Sequence, residues 1–336
     1  MPSPTQEALD LIPLLFPIYD FGSEELRKAL EITESYLLLA PAHMLSNLTR
    51  LPLFAALASL FAALKNKPEA NGMVCNIIEL AIRQAHRLGG AAAVEQTASD
   101  LVAVGFLGKL LEGLRGSWTA HCTTGPRAVH APVDGVVETD YLAILARLIL
   151  GSLEGFSNAI LASAPQVPTS QGSGRTSLEE TMGWLLQEWF SHLENIGDPG
   201  RRKLMALALT RLLDLPQQQR FVLGNLQSLM TMWTDVITEL RDPNAEEIST
   251  TLEQRRGDSL VYSAQQTGEP HEAAEDARRR DLMYSDEVHV IGLPGFVTEA
   301  LGRAVAGQGG MEAFRREWVG NVDVDVLRGF LGLGVM

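Results

Sequence analysis

Apolar residues recur at three- and four-residue spacing along almost the whole chain, and they do so in successive pairs of segments. The longest stripe is Val222, Leu226, Leu229, Trp233, Val236 and Leu240, about six turns of one helix face. Ala29, Ile32, Tyr36 and Leu39 form another. So do Leu142, Leu145, Ile149, Leu153, Phe156 and Ile160, and Leu178, Met182, Leu185, Trp189 and Leu193. Strand-like alternation is nearly absent; the β-like tracts are Leu260–Tyr262 and Val288–Ile291. The pattern dictates an all-α chain. Its segments pair as 4–18 with 23–39, 42–64 with 69–87, and 92–117 with 138–162. Then come 177–195 with 198–214, 217–241 with 292–306, and 309–318 with 322–333. Helix pairs returning every ~40–47 residues predict a right-handed α-solenoid of tandem HEAT-type helix pairs, each burying its faces on its neighbours. The expectation is a single solenoid over 1–336, about six pairs long, with inserted loops at 118–137, 163–177 and 242–290.

Composition narrows the partners. The formal net charge of −14 over 336 residues disfavours direct nucleic-acid binding through bulk electrostatics and favours basic protein partners. The two cysteines, Cys75 and Cys122, are too few for a disulfide framework and fit a reducing compartment. The longest apolar run, Leu51–Leu64, spans 14 residues, against the ~20 a membrane helix needs. No membrane partner, signal peptide or cofactor is expected.

Several local motifs invite a chemical reading. GDSL at Gly257–Leu260 followed by DEVH at Asp286–His289 resembles the blocks of GDSL-type esterases. Those blocks work on an α/β sheet, which an all-α chain lacks, so no catalytic residue is assigned. His121, Cys122 and His130 in HCTTGPRAVH lack the tight spacing of a zinc site, and His43, His86 and His192 read as lone helix residues. No metal ligand is assigned. Trp184, Trp189, Trp233 and Trp318 lie on or near apolar stripes and are expected as core anchors. A minority of them could shape pockets between helices.

Asp198–Pro216 poses a sharper question, because Arg201-Arg202-Lys203 precedes the apolar run of that helix directly. Asp198 is a good N-cap and Pro199 suits the first turn. The expectation for the three cations is a solvated helix edge with Arg stems packed over the previous pair.

The runs EWFSHLENIGDPGRRKLMALALTRLL and LQSLMTMWTDVITELRD, and the tail DARRRDLMYSDEVHVIGLPGFVTEALGRAVAGQGGMEAFRREWVGNVDVDVLRGFLGLG, resemble the C-terminal part of importin-11-type receptors. These belong to the importin-β (karyopherin) family of nuclear transport receptors. ESYLLLAP is consistent with them but less specific. The resemblance implies a non-enzymatic cargo-binding portion of a nuclear import receptor that shuttles between cytoplasm and nucleus through the nuclear envelope. It implies basic cargo such as ribosomal, ribosome-assembly or RNA-binding proteins, and contact with nucleoporin Phe-Gly repeats. Ran GTPase would bind an N-terminal region outside this sequence. The alternative is an α-solenoid scaffold of a non-transport complex. Acidic residues are the candidate cargo contacts: Glu31 and Glu34 on an expected concave helix, Asp235 and Glu239 at i, i+4, and Glu246, Glu247, Glu272, Glu275 and Asp276 in the long loop.

Overall fold

The computed structural model describes residues 3–19, 24–64, 68–125, 128–164, 167–169, 172–174, 178–215, 217–241 and 273–335. The chain divides into two compact units, Met1–Asn195 and Ile196–Met336.

In the first unit, α1 (Gln6–Leu9) is followed by two 3₁₀ turns at Ile12–Leu14 and Phe16–Ile18. Pro13 and Pro17 sit in the first turn of each, and each removes a donor that a continuous helix over 4–18 would need. Then come α2 (Leu26–Leu39), α3 (Pro41–Met44), α4 (Arg50–Ala63), α5 (Pro68–Ala103) and α6 (Phe106–Cys122). After them lie α7 (Gly135–Gly151), α8 (Leu153–Ser163), a short antiparallel hairpin of β1 (Val167–Thr169) and β2 (Gly172–Gly174), and α9 (Leu178–His192).

The expected boundary between 69–87 and 92–117 appears as a kink in α5, where Gly89 has φ −147° and Gly90 φ +60°. Two other expected helices are interrupted. The segment 92–117 breaks at Gly105, whose φ of +78° is reached by glycine at low cost. The segment 138–162 breaks at Ser152, whose hydroxyl caps α8 by accepting from Gly155 N and donates to Glu95 Oε1 at 2.8 Å. Close approach explains that break, since a Cβ on Gly155 would lie 2.8 Å from Glu95 Cγ.

The core of this unit lies where α5 runs along α7 and α8. Phe61 packs against Phe106 and Tyr141, with ring centroids 4.5 and 5.2 Å away. The Tyr141 hydroxyl accepts from Asn71 Nδ2 at 3.0 Å inside the core.

The second unit contains α10 (Pro199–Arg211), α11 (Gln219–Leu223), α12 (Leu226–Leu240), α13 (Ala274–Tyr284), α14 (Glu287–Val290), α15 (Leu293–Gly307), α16 (Met311–Glu317) and α17 (Val324–Leu331). The expected helix 217–241 breaks at Gly224–Asn225. The expected pairing of 217–241 with 292–306 gives way to a different one, in which α10 packs against both α12 and α15 while α12 also packs against α17. Trp233 is fully buried and donates from Nε1 to Thr210 Oγ1 at 2.8 Å; its ring lies 5.6 Å from that of Phe330. Trp184 and Trp189 are also core residues, whereas Trp318 is half-buried under the Arg220 guanidinium.

Val288–Ile291, read as β-like, supplies the helical turn α14 and its C-cap. Its β-branched composition is overridden by Asp286, which caps the turn by accepting from Val288 N at 2.9 Å. Ser23, Pro216, Gly257–Leu260 and Leu260–Tyr262 lie outside the described residues. No described helix is long and apolar enough to cross a membrane.

Candidate functional site

The acidic residues expected to meet cargo differ in their surroundings. Glu31 and Asp235 are exposed and Glu34 is half-buried. Glu31 pairs with Arg27 at 3.1 Å on the same helix face, but both side chains remain more than half exposed, and a pair of that kind holds a carboxylate only weakly. Asp276 is exposed, while Glu275 is half-buried and accepts from Arg279 at 2.8 Å. Glu246, Glu247 and Glu272 lie outside the described residues. Glu239 departs from expectation: Arg202 Nη1 of α10 lies 2.8 Å from its Oε2, so it is engaged within the unit instead of standing with Asp235 on a common open face.

The basic run is corrected in the same place. Asp198 caps α10 as expected, accepting from Arg201 N at 2.6 Å, and Pro199 opens the helix. Lys203, however, is no solvated edge residue, for it is 0% exposed. Its Nζ has no hydrogen-bond partner among the described residues. Burial brings the ammonium pKa from its usual 10.5 down to about 8, with the Asp286 carboxylate opposing the shift. The neighbouring cations, in contrast, remain half-exposed.

The most concentrated chemistry lies in the first unit. His121 stands in the last turn of α6, Glu138 in the first turn of α7, and Glu188 and His192 one turn apart on α9. His121 Nδ1 lies 2.9 Å from Glu188 Oε1. His192 Nε2 lies 3.3 Å from that same oxygen and 3.0 Å from Glu138 Oε2. Glu138 is 0% and Glu188 2% exposed, so two carboxylates are held inside the unit. Hydrogen bonding to Glu138, and next to Glu188, raises the His192 imidazole pKa to about 9, while burial acts the other way. For Glu188, burial is the largest influence and pushes the carboxyl upward. Hydrogen bonding with His192 and Glu138 and the charges of His121 and His192 together outweigh it, and the pKa ends below the ordinary value.

A cleft of about 410 Å³ opens over the cluster, with Trp118, Cys122 and Ser191 among its walls. In the sequence His121 stands near Cys122 and His130, and His192 is a lone helix residue. The structure instead joins His121 to His192 through Glu188, while Cys122 and His130 are exposed. A local signal is the i, i+4 pair Glu188 and His192.

In the second unit, α15, α16 and α17 enclose an apolar groove of about 700 Å³, floored by Leu301, Val305 and Leu327. Met311, Val324 and Leu331 line it and remain exposed. The second half of the esterase-like pattern has a structural use here: Asp286 is the N-cap of α14 and His289 is buried against the Tyr284 ring, 5.1 Å away.

Residues 1–335 match the family described as importin-11-like TPR repeats. Human Importin-11 is 25% identical over 305 residues, and mouse Importin-11 is 23% identical over the same length. Both alignments cover 89% of this chain and 27% of the relative, so the chain spans about a quarter of the length of the curated relatives it matches. No solved structure matches it. The family description says TPR where the ~40–47-residue spacing suggested HEAT, but both are tandem helix-pair repeats that differ in period. With a match running essentially from end to end, the chain belongs to the importin-11-like family of helical-repeat proteins.

Proposed function

We propose that this chain forms the cargo-binding portion of a karyopherin-type nuclear import receptor and captures basic proteins on acidic helical surface. Family membership over residues 1–335 carries the reading. The surplus of acidic residues supports the electrostatic part, since it gives a net charge of −14 and is present in both units. Capture of this kind needs no covalent chemistry. It needs exposed carboxylates on rigid helices, where complementary charge raises the encounter rate and rejects acidic partners. Glu31, Glu34, Asp235 and Asp276 are the described residues that suit this role best. Glu239 and Glu275 contribute less, because each is engaged by an arginine and less exposed than Glu31 in its own pair. Glu246, Glu247 and Glu272 are further candidates from the sequence and lie outside the described residues.

In this scheme ribosomal, ribosome-assembly or RNA-binding proteins are the cargo. Ran GTPase engages parts of the receptor beyond this stretch. The Phe side chains of nucleoporin Phe-Gly repeats enter the apolar groove of α15–α17. The receptor shuttles between cytoplasm and nucleus. The test is a nuclear-extract pull-down on the immobilised chain, eluted with a salt ladder, beside a variant carrying Glu31→Lys, Glu34→Lys and Asp235→Lys. Basic proteins lost between ~50 and ~300 mM salt, and depleted at least about threefold on the variant, are the expected result. Recovery of only acidic or salt-insensitive partners in fixed stoichiometry would instead mark a scaffold of a non-transport complex.

A further inference from the structure

Four side chains with metal-ligating atoms converge in the first unit, contributed by three different helices. The ligand atoms of His121, Glu188 and His192 all lie within 4.8 Å of one another, and Glu138 Oε2 stands 3.0 Å from His192 Nε2. Around a tetrahedral ion with bonds of about 2.0–2.2 Å, neighbouring ligand atoms sit about 3.3–3.6 Å apart. Of the observed separations, 2.9 and 3.0 Å are shorter than that and 3.3 Å reaches its lower edge, so side-chain rotations that move the ligand atoms apart would open the space for one ion.

A second observation points the same way. Glu138 is 0% exposed; His192 Nε2 stands 3.0 Å from its Oε2 in a poorly directed contact, and Oε1 has no hydrogen-bond partner among the described residues. A buried carboxylate with one oxygen unmet is costly, and a cation shared with Glu188 would lower that cost further.

We propose that His121, Glu138, Glu188 and His192 form a structural zinc site that staples α6, α7 and α9 together. Two imidazoles and two carboxylates suit Zn²⁺ better than Mg²⁺ or Ca²⁺, which favour oxygen-only shells. One dication also balances the two glutamates. Glu138, 3.0 Å from His192 Nε2, would have to move in as the fourth ligand; with it the tetrahedron would be closed, as in a structural site, with no open position for a reacting molecule. The cleft beside Trp118 and His121 supplies the entry path.

The test uses the full chain, stripped with chelator and titrated with ZnCl₂ by calorimetry and thermal unfolding, and with Co²⁺ by visible absorption. One Zn²⁺ per chain, a rise in Tm on loading, and the strong ligand-field absorption of tetrahedral Co²⁺ are expected. His121→Ala removes a half-exposed ligand and should leave the metal-free Tm close to that of the unaltered chain. It should weaken Zn²⁺ binding by at least about tenfold, and Glu138→Gln should do the same. Cys122→Ser, at the exposed thiol beside the cleft, should leave affinity unchanged. Absence of saturable binding at one equivalent overturns the proposal. So does unchanged affinity in both ligand variants, or loss of binding in Cys122→Ser, which would identify adventitious capture by a thiol.

Discussion

Replacing Lys203 with methionine should make the protein more stable. Lys203 is 0% exposed and its Nζ lacks a hydrogen-bond partner among the described residues, so the folded state holds an ammonium away from water with only the field of Asp286 in its favour. The pKa falls from 10.5 to about 8. That difference of roughly 2.5 units, at about 1.36 kcal/mol each, sets a ceiling of about 3 kcal/mol on the penalty for keeping the group charged. The folded pKa lies below the unfolded one, so the penalty is present in full below pH ~8. It fades as pH rises towards ~10.5, where the unfolded chain loses its proton too. Lys203→Met keeps the stem volume and removes the charge, and it should add about 1–3 kcal/mol at pH 7. The gain should shrink steadily between pH 8 and 10.5. Urea unfolding of both proteins at a series of pH values measures this, and the difference between them cancels every other titration, including that of His192. A variant less stable than its parent at pH 7 would refute the argument, because Nζ would then have to hold a strong ionic partner. A gain that stayed constant with pH would refute it equally, by tracing the effect to packing alone.

Two further perturbations test the second unit. Thr210→Val leaves the buried Trp233 Nε1–H without its 2.8 Å acceptor and should lower stability by about 1–3 kcal/mol, read from the urea midpoint; Trp233→Phe, which removes the donor as well, separates the lost bond from lost packing. Asp198→Ala should cost about 1 kcal/mol by uncapping α10, while Asp198→Asn should restore most of it by the same measurement.

Much of the helical order is legible in the residues because apolar spacing is a local property. The break near Leu88–Ala91 could be placed because Gly89 and Gly90 stand together there, and the structure puts φ +60° at Gly90. The break at Ser152 could not, because Ile149, Leu153 and Phe156 keep the stripe running through it. What interrupts the helix is Glu95 from the distant α5, which reaches the Ser152 hydroxyl and crowds Gly155. Likewise the partner of α12 depends on which faces meet. Its stripe demanded burial, and α10 and α17 supply it where α15 was expected.

The candidate metal site was hidden for a related reason, though a trace of it lies in the same periodicity. The short run His121–His130 holds no zinc motif, whereas His121 meets Glu188 across 67 residues of sequence. Leu185, Glu188 and His192 nevertheless keep the three-and-four spacing of a buried face, and Glu138 stands four residues before Leu142 on another. Lys203 extends the face of Leu207 and Thr210 in the same way. All three charged residues are buried to within 2%, so an ionisable group that continues an apolar stripe was here the mark of a buried charge. What separates them is company. The two glutamates face imidazoles across helix boundaries, which makes their burial sustainable and furnishes ligands for a cation. Lys203 has only the field of one helix cap. The same placement rule therefore yields a binding site in one unit and a removable destabilising charge in the other, and the zinc titration and the Lys203→Met unfolding series examine those two consequences independently.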